Sequence, residues 1–287
     1  MTDVSLIGLG PMGIALARAL QSKFTLAVWN RTAERAKPLL NQGTVLAPTA
    51  LAAVQASPVV LVCVADYTAS RAILAAPGVA DALRGKVLVQ LSTGTPQDAR
   101  EDWAALSGVA YLDGALLATP GQIGRPDTPL FISGEERALT ACRPVLEAIA
   151  GNIQYMGEPI GNAAAWDLAT LSCMFGAMSG FFHGVRICES EGLGVEAFSQ
   201  MIGAISPVLG EMISAEGQAI HANRYGEPES SMATCAGSGR LFVKQAREAG
   251  LDASFPDFLM GLFERSLSAG FANERLAAMV KVLRQPA

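Results

Sequence analysis

The sequence predicts an α/β chain that becomes all-α: an N-terminal doubly wound parallel sheet, a long connecting helix and a helical C-terminal domain. Three observations predict it. Residues 1 to about 155 alternate short apolar strands with helical patterns. From Gly161 to about Glu191 runs a stretch of apolar and small residues without strand punctuation. After Gly192-Leu193-Gly194 only helical patterns follow. The implied division is 1–158, 159–191 and 192–287.

Val4 to Ile7 reads as a short buried strand and Ile14 to Leu20 as an Ala-rich helix, so Gly8-Leu9-Gly10-Pro11-Met12-Gly13 occupies a strand-to-helix turn. That is the context a dinucleotide-binding motif requires. Gly8 permits the tight turn, Gly10 lets the backbone approach a pyrophosphate, and Gly13 lets helix and strand pack closely. The first domain is therefore expected to be of the Rossmann type. A second strand, Leu26 to Trp29, ends where an NAD enzyme places Asp or Glu on the ribose 2′-hydroxyl. Here the position is Asn30, followed by Arg31, Thr32 and Arg35. If a helix begins near Thr32, Arg31 and Arg35 share a face. Guanidinium groups match phosphate oxygens, so the expected cofactor is NADPH rather than NADH.

Further strands are read at Val59 to Val64, Val87 to Leu91, Tyr111 to Ala115, Pro129 to Ser133 and Ile153 to Met156. The run from Gly161 to Glu191 predicts one helix of about 30 residues. Helices follow at 195–221, 229–249 and 255–283, bounded by Gly226-Glu227-Pro228 and by Leu251 to Pro256. A half this rich in Ala, Gly, Met and Leu carries more apolar surface than it can bury alone, which predicts a homodimer.

Composition narrows the class. Across 287 residues, 51% hydrophobic content supplies sizeable cores, and no apolar run escapes interruption by charge, glycine or proline, so no membrane span is expected. The first strand begins at once, leaving no room for a signal peptide, and a cytoplasmic location is expected. Cys63, Cys142, Cys173, Cys188 and Cys235 are odd in number and widely spaced, suggesting neither a disulfide framework nor a zinc site. His183 and His221 form no metal-ligand spacing and are read as packing or helix-surface residues. A net charge of −5, with 21 scattered Lys and Arg, offers no stripe for nucleic acid.

The layout resembles the β-hydroxyacid dehydrogenase superfamily, whose C-terminal domain is like that of 6-phosphogluconate dehydrogenase. Ser92-Thr93-Gly94-Thr95-Pro96 matches its substrate and nicotinamide loop. Its catalytic lysine, in a GxGxxxK pattern, aligns with Asp167 of Gly161-Asn162-Ala163-Ala164-Ala165-Trp166-Asp167, and its KDL segment with Gly239-Arg240-Leu241. A carboxylate would repel a developing alkoxide, so dehydrogenation of a hydroxyacid is disfavoured. Both departures, with Leu91 to Pro96 and the stretch Gly114 to Gly124 (GALLATPGQIG), are similar to imine reductases and reductive aminases.

The resemblance implies NADPH-dependent reduction of imines or iminium ions, with reductive amination of ketones by amines as a possible extension, at an interface between the domains. Asp167 is implied as proton donor, given burial beside Trp166, or as electrostatic partner of the cation. Gly8, Leu9, Gly10, Pro11, Met12, Gly13, Asn30, Arg31, Thr32, Arg35, Val64 and Thr93 are the expected cofactor residues. Thr93, Trp166, Leu171 and Phe175 are the expected substrate residues, Phe175 lying two helical turns beyond Asp167. Thr93 has a second reading as the cap of a turn. Two alternatives stay open at this stage: a lysine-less carbonyl or semialdehyde reductase, and a non-catalytic NADPH-binding scaffold.

Overall fold

The structure is a computed structural model describing residues 2–40, 43–226 and 228–285. Glu227, in the turn expected between two helices, lies outside the described residues. The chain divides into two compact units, Met1–Ser172 and Cys173–Ala287.

The first unit opens β1 (Val4–Ile7), α1 (Pro11–Gln21), β2 (Leu26–Trp29), a 3-10 helix (Ala33–Leu39), β3 (Thr44–Leu46), α2 (Ala50–Ala56) and β4 (Val59–Val62). It continues α3 (Tyr67–Leu74), α4 (Val79–Leu83), β5 (Val87–Gln90), α5 (Pro96–Ala105), β6 (Ala110–Leu116) and a short 3-10 turn (Pro120–Gln122). It closes with β7 (Pro129–Gly134), α6 (Glu136–Ile149), β8 (Asn152–Tyr155) and the start of α7 (Asn162–Ser190). The strand order is β3-β2-β1-β4-β5-β6-β7-β8, parallel except between β6 and β7. This is the doubly wound sheet expected from the alternation of strand and helix patterns.

Because side chains alternate along a strand, both faces of the sheet are buried by different residues. Val4 and Leu6 join Leu16, Leu20, Leu139 and Leu146 of α1 and α6 on one face. Ile7, Val60 and Val62 join Val54, Leu74 and Leu83 on the other. β3 escaped the sequence reading because it is a three-residue edge strand whose central Val45 is 57% exposed.

The second unit comprises the rest of α7, then α8 (Val195–His221), α9 (Met232–Glu248), α10 (Ser254–Ser268), a 3-10 turn (Leu276–Ala278) and α11 (Met279–Leu283). Its core gathers Ala219, Tyr225, Met232, Ala236, Met260, Phe263 and Ala278. Gly239, read at the position where the superfamily's KDL segment is replaced, lies where α9 meets α10: a Cβ there would stand 2.6 Å from the Met260 sulfur. The single helix expected over 255–283 is broken. Gly270 adopts φ +89, a left-handed conformation that ends α10 and turns the chain back.

The 29-residue α7 has the predicted length. An 18-residue window of it reaches a mean hydropathy of 1.3, enough by length and composition to cross a membrane, contrary to the expectation that no run would qualify. The glycines that interrupt its sequence do not interrupt the helix.

Candidate active site

The sheet order reverses between β1 and β4, and ligands of doubly wound sheets bind at the carboxyl ends of strands beside such a reversal. The loop after β1 is defined by two steric prohibitions and one open space. Gly8 has φ +103, and a Cβ on it would lie 2.0 Å from the Cys63 carbonyl oxygen. A Cβ on Gly13 would lie 2.1 Å from the Gly8 carbonyl oxygen. Gly10, at φ −68 and ψ −177, would meet nothing within 4 Å. Gly10 is the N-cap of α1 and supplies no side-chain cap, while Pro11 has no N–H. The Met12 and Gly13 amides therefore point out of the helix N-terminus without helical carbonyls, an anion-binding arrangement.

Asn30 joins this loop to the next. Its Oδ1 accepts from Leu9 N–H at 2.9 Å, and its Nδ2 donates to the Thr32 carbonyl at 3.0 Å. Arg31, Thr32 and Arg35 are exposed. The α-helical face expected to align the two arginines does not form: residues 33–39 are a 3-10 helix, and Arg31 precedes its Thr32 cap. Pro38 lacks the N–H that an α-helical bond to Glu34 requires. The arginines are nonetheless held on one short exposed segment, and neither forms an ion pair among the described residues.

The loops after β4 and β5 are tied together. Val64 N–H donates to Ser92 Oγ at 3.0 Å, and Ser92 N–H donates to Gln90 Oε1 at 3.0 Å. Gln90 in turn donates to Ser70 Oγ at 2.6 Å. Thr93 is exposed, and the capping role belongs to Thr95, which forms a reciprocal box with Asp98 at the start of α5. Gly94 lies against the Tyr67 ring, leaving 2.2 Å for a Cβ. In the stretch Gly114 to Gly124, Thr119 and Gln122 form a similar box around the 3-10 turn.

Asp167 is 5% exposed, in the second turn of α7. Burial, and then the charge of Asp113, lift its carboxyl above the ordinary range, and no hydrogen bond from the described residues offsets the lift. Trp166 is 57% exposed, and its ring lies 6.0 Å from that of Phe131. Leu171 is half-buried on α7, while Phe175, in the second unit, is 65% exposed. The residues that sequence reasoning missed are Tyr67, Gln90 and Asp113. Asp113 carried a signal: it is an acid at the centre of a strand buried on both faces, where apolar residues are the rule.

The chain matches known proteins along its length. Residues 3–157 match the NAD binding domain of 6-phosphogluconate dehydrogenase, and residues 159–285 the C-terminal domain of the NADPH-dependent reductive aminase-like family. An imine reductase from Myxococcus stipitatus in complex with NADP+ is 32% identical, with a TM-score of 0.93 over 98% of this chain and 100% of that one. The chain belongs to the imine reductase and reductive aminase family. This family member is also similar to a reductive aminase from Aspergillus terreus in complex with NADPH and ethyl-5-oxohexanoate, at 31% identity and a TM-score of 0.92 over 99% and 100% of the two chains. The NADPH-dependent reductive aminase of Aspergillus oryzae shares 29% identity over 98% of this chain and 97% of its own length.

Proposed function

We propose that the chain reduces C=N bonds of small imines or iminium ions with NADPH, and that Asp167 is its acid. The observation that carries the role of Asp167 is its burial without a hydrogen-bond donor among the described residues, in a helix whose superfamily counterpart is read as carrying lysine. NADPH fits the residues present: the open space at Gly10 and the free amides of Met12 and Gly13 suit a pyrophosphate, and Arg31 and Arg35 a 2′-phosphate. When bound, the dinucleotide supplies the hydride.

The chain supplies the rest. A carboxyl with raised proton affinity holds its proton to higher pH than an ordinary carboxyl and can deliver it to the imine nitrogen; once ionised, it favours the iminium cation by charge. Thr93 and the apolar side chains Trp166, Leu171 and Phe175 are the proposed substrate contacts. Relatives solved with NADP+, or with NADPH and a keto ester, support the cofactor and the substrate class. Ketone and amine coupling is the proposed extension.

The test replaces Asp167 with Asn and follows NADPH oxidation with a cyclic imine such as a dihydropyrroline. Turnover is expected to fall about 100-fold or more, with NADPH affinity retained. Wild-type activity should decline as pH rises through the Asp167 titration, above the ordinary carboxylate range, because the acid form is the active one. Undiminished turnover in Asp167→Asn removes this residue from the reaction.

The same reading takes the chain as a homodimer through its helical unit. Val208, Leu209, Met212 and Ile213 of α8 are all exposed, an apolar face that a second copy would cover. Light scattering at micromolar concentration tests this, and a monomer overturns it. The five free cysteines, two of them buried, support a reducing cytoplasmic setting; mixed-disulfide formation in cell extracts would argue against it.

A further inference from the structure

The first turn of α7 is tied to the sheet by two side chains from adjacent strands. Ser133 Oγ on β7 accepts the Ala163 N–H at 3.2 Å, and Asp113 Oδ2 on β6 accepts that of Ala164 at 3.1 Å. The Tyr67 hydroxyl donates to Asp113 Oδ1 at 3.0 Å, and the Ser133 hydroxyl reaches Asp113 Oδ2 at 3.5 Å. Asp113 is 1% exposed and pairs with no cation among the described residues.

This is more than a helix cap. A neutral Ser or Thr satisfies a terminal amide, whereas a buried carboxylate is costly unless donors compensate it. Here the donors are collected around the acid, and the positive end of a long helix dipole adds to them. The next acid along the same helix is Asp167, one turn beyond Ala163 and Ala164. A negative charge fixed beneath that turn disfavours a second one on Asp167.

We propose that Asp113 is a positioning residue for Asp167: its buried carboxylate clamps the first turn of α7 and, through its charge, sets how tightly Asp167 holds its proton. This rests on the acid role given to Asp167 above. Burial lifts the Asp113 carboxyl above the ordinary range, and hydrogen bonds from Ala164, Tyr67, Ser133 and Gly161 oppose that lift. The other ionisable groups around the pair do not compete for the role. Tyr67 of α3 and Tyr111 of β6 are pushed by burial far above the usual phenol range and stay neutral. Arg71 of α3 is committed to Asp98, Glu101 and Asp102. Arg100 of α5, whose guanidinium approaches the backbone at Gly161, is exposed and bonded to Gln97.

Asp113→Asn keeps the shape and an accepting oxygen but removes the charge. In the full chain, Asp167 is titrated by carboxyl-carbon NMR, and the pH profile of kcat/KM is measured with a dihydropyrroline at saturating NADPH. In Asp113→Asn, the Asp167 titration and the high-pH limb of the profile are both expected to move lower, and by the same amount. Ser133→Ala, which removes the neighbouring cap and only a long 3.5 Å bond to Asp113 without changing charge, is expected to move both far less.

An Asp167 titration unmoved by Asp113→Asn, or moved equally by Ser133→Ala, overturns the proposal. If Asp113→Asn does not fold, Asp113→Ser, which also removes the charge and keeps an accepting oxygen, is measured and read in the same way. Undiminished turnover in Asp167→Asn, alongside a titration that still moves in Asp113→Asn, would remove the reaction role and leave the electrostatic pairing. The reverse pattern would remove the pairing and leave the reaction.

Discussion

Gly8, Gly10 and Gly13 are predicted to answer differently to the same added methyl group. At Gly10 the backbone already sits at φ −68 and ψ −177, open to any residue, and a Cβ would touch nothing within 4 Å. Gly10→Ala should therefore leave folding intact or stabilise it by about 0.4–1 kcal/mol, by reducing the freedom of the unfolded chain. The open space is nevertheless where a pyrophosphate would approach the Met12 and Gly13 amides. Losing one charge-assisted hydrogen bond costs about 1.5–3 kcal/mol. That corresponds to an NADPH Kd raised roughly 10- to 100-fold.

Gly8→Ala and Gly13→Ala should do the opposite. Their Cβ atoms would lie 2.0 and 2.1 Å from backbone carbonyl oxygens, so strand or helix must move. Overpacking of this kind costs about 1–3 kcal/mol, and the φ of +103 at Gly8 adds about 1–2 kcal/mol more. The assay is urea denaturation of the cofactor-free variants beside NADPH fluorescence titration. The reasoning is refuted if Gly10→Ala binds NADPH within about threefold of wild type. It is equally refuted if that variant loses more than about 1 kcal/mol of folding stability.

Arg31→Ala with Arg35→Ala should raise the KM for NADPH about tenfold or more while leaving that for NADH and the folding stability nearly unchanged; a parallel rise for both cofactors would exclude a 2′-phosphate contact. Asp167→Asn should fold more stably than wild type at high pH. The wild-type acid has a folded titration point above its unfolded one, so its contribution is complete below the unfolded value and is lost as pH rises through the folded value. The gain is about 1.4 kcal/mol for each pH unit separating the two values, and identical pH–stability curves would count against the burial argument. Lys86 Nζ donates to the carbonyls of Val54 at 2.6 Å, Ser57 at 2.7 Å and Gln55 at 3.3 Å around the end of α2. Lys86→Met should cost about 2 kcal/mol in urea denaturation without altering NADPH affinity, and a negligible loss would show that these bonds merely replace water.

Features written in consecutive residues were legible. The glycine turn follows from the residue types on either side of it, and the long α7 from uninterrupted apolar and small residues. Where local pattern met a backbone constraint, it misled. Arg31 and Arg35 have helical spacing, yet Pro38 three residues later keeps the segment in a 3-10 turn. The stretch 255–283 has helical composition, but Gly270 ends the helix through a φ that composition does not display.

The environment of Asp167 belongs to a third kind, set by pairing between distant segments. β6 and β7 run antiparallel with Asp113 opposite Ser133, so two residues twenty positions apart become neighbours beneath the same helix end. The register leaves little freedom. A slip of one residue would turn Asp113 to the opposite face of the sheet, away from Ala164, and bring Leu112 or Gly114 to a place where neither can accept an N–H. Gly114 blocks such a slip, because a side chain at its site would press on Leu91 and Ile132 at 2.8 Å. The acid assigned to the reaction thus depends on a strand register that apolar packing defines. A volume change at Leu91 or Ile132, far in sequence from Asp167, should alter the pH dependence of turnover before it alters the affinity for NADPH.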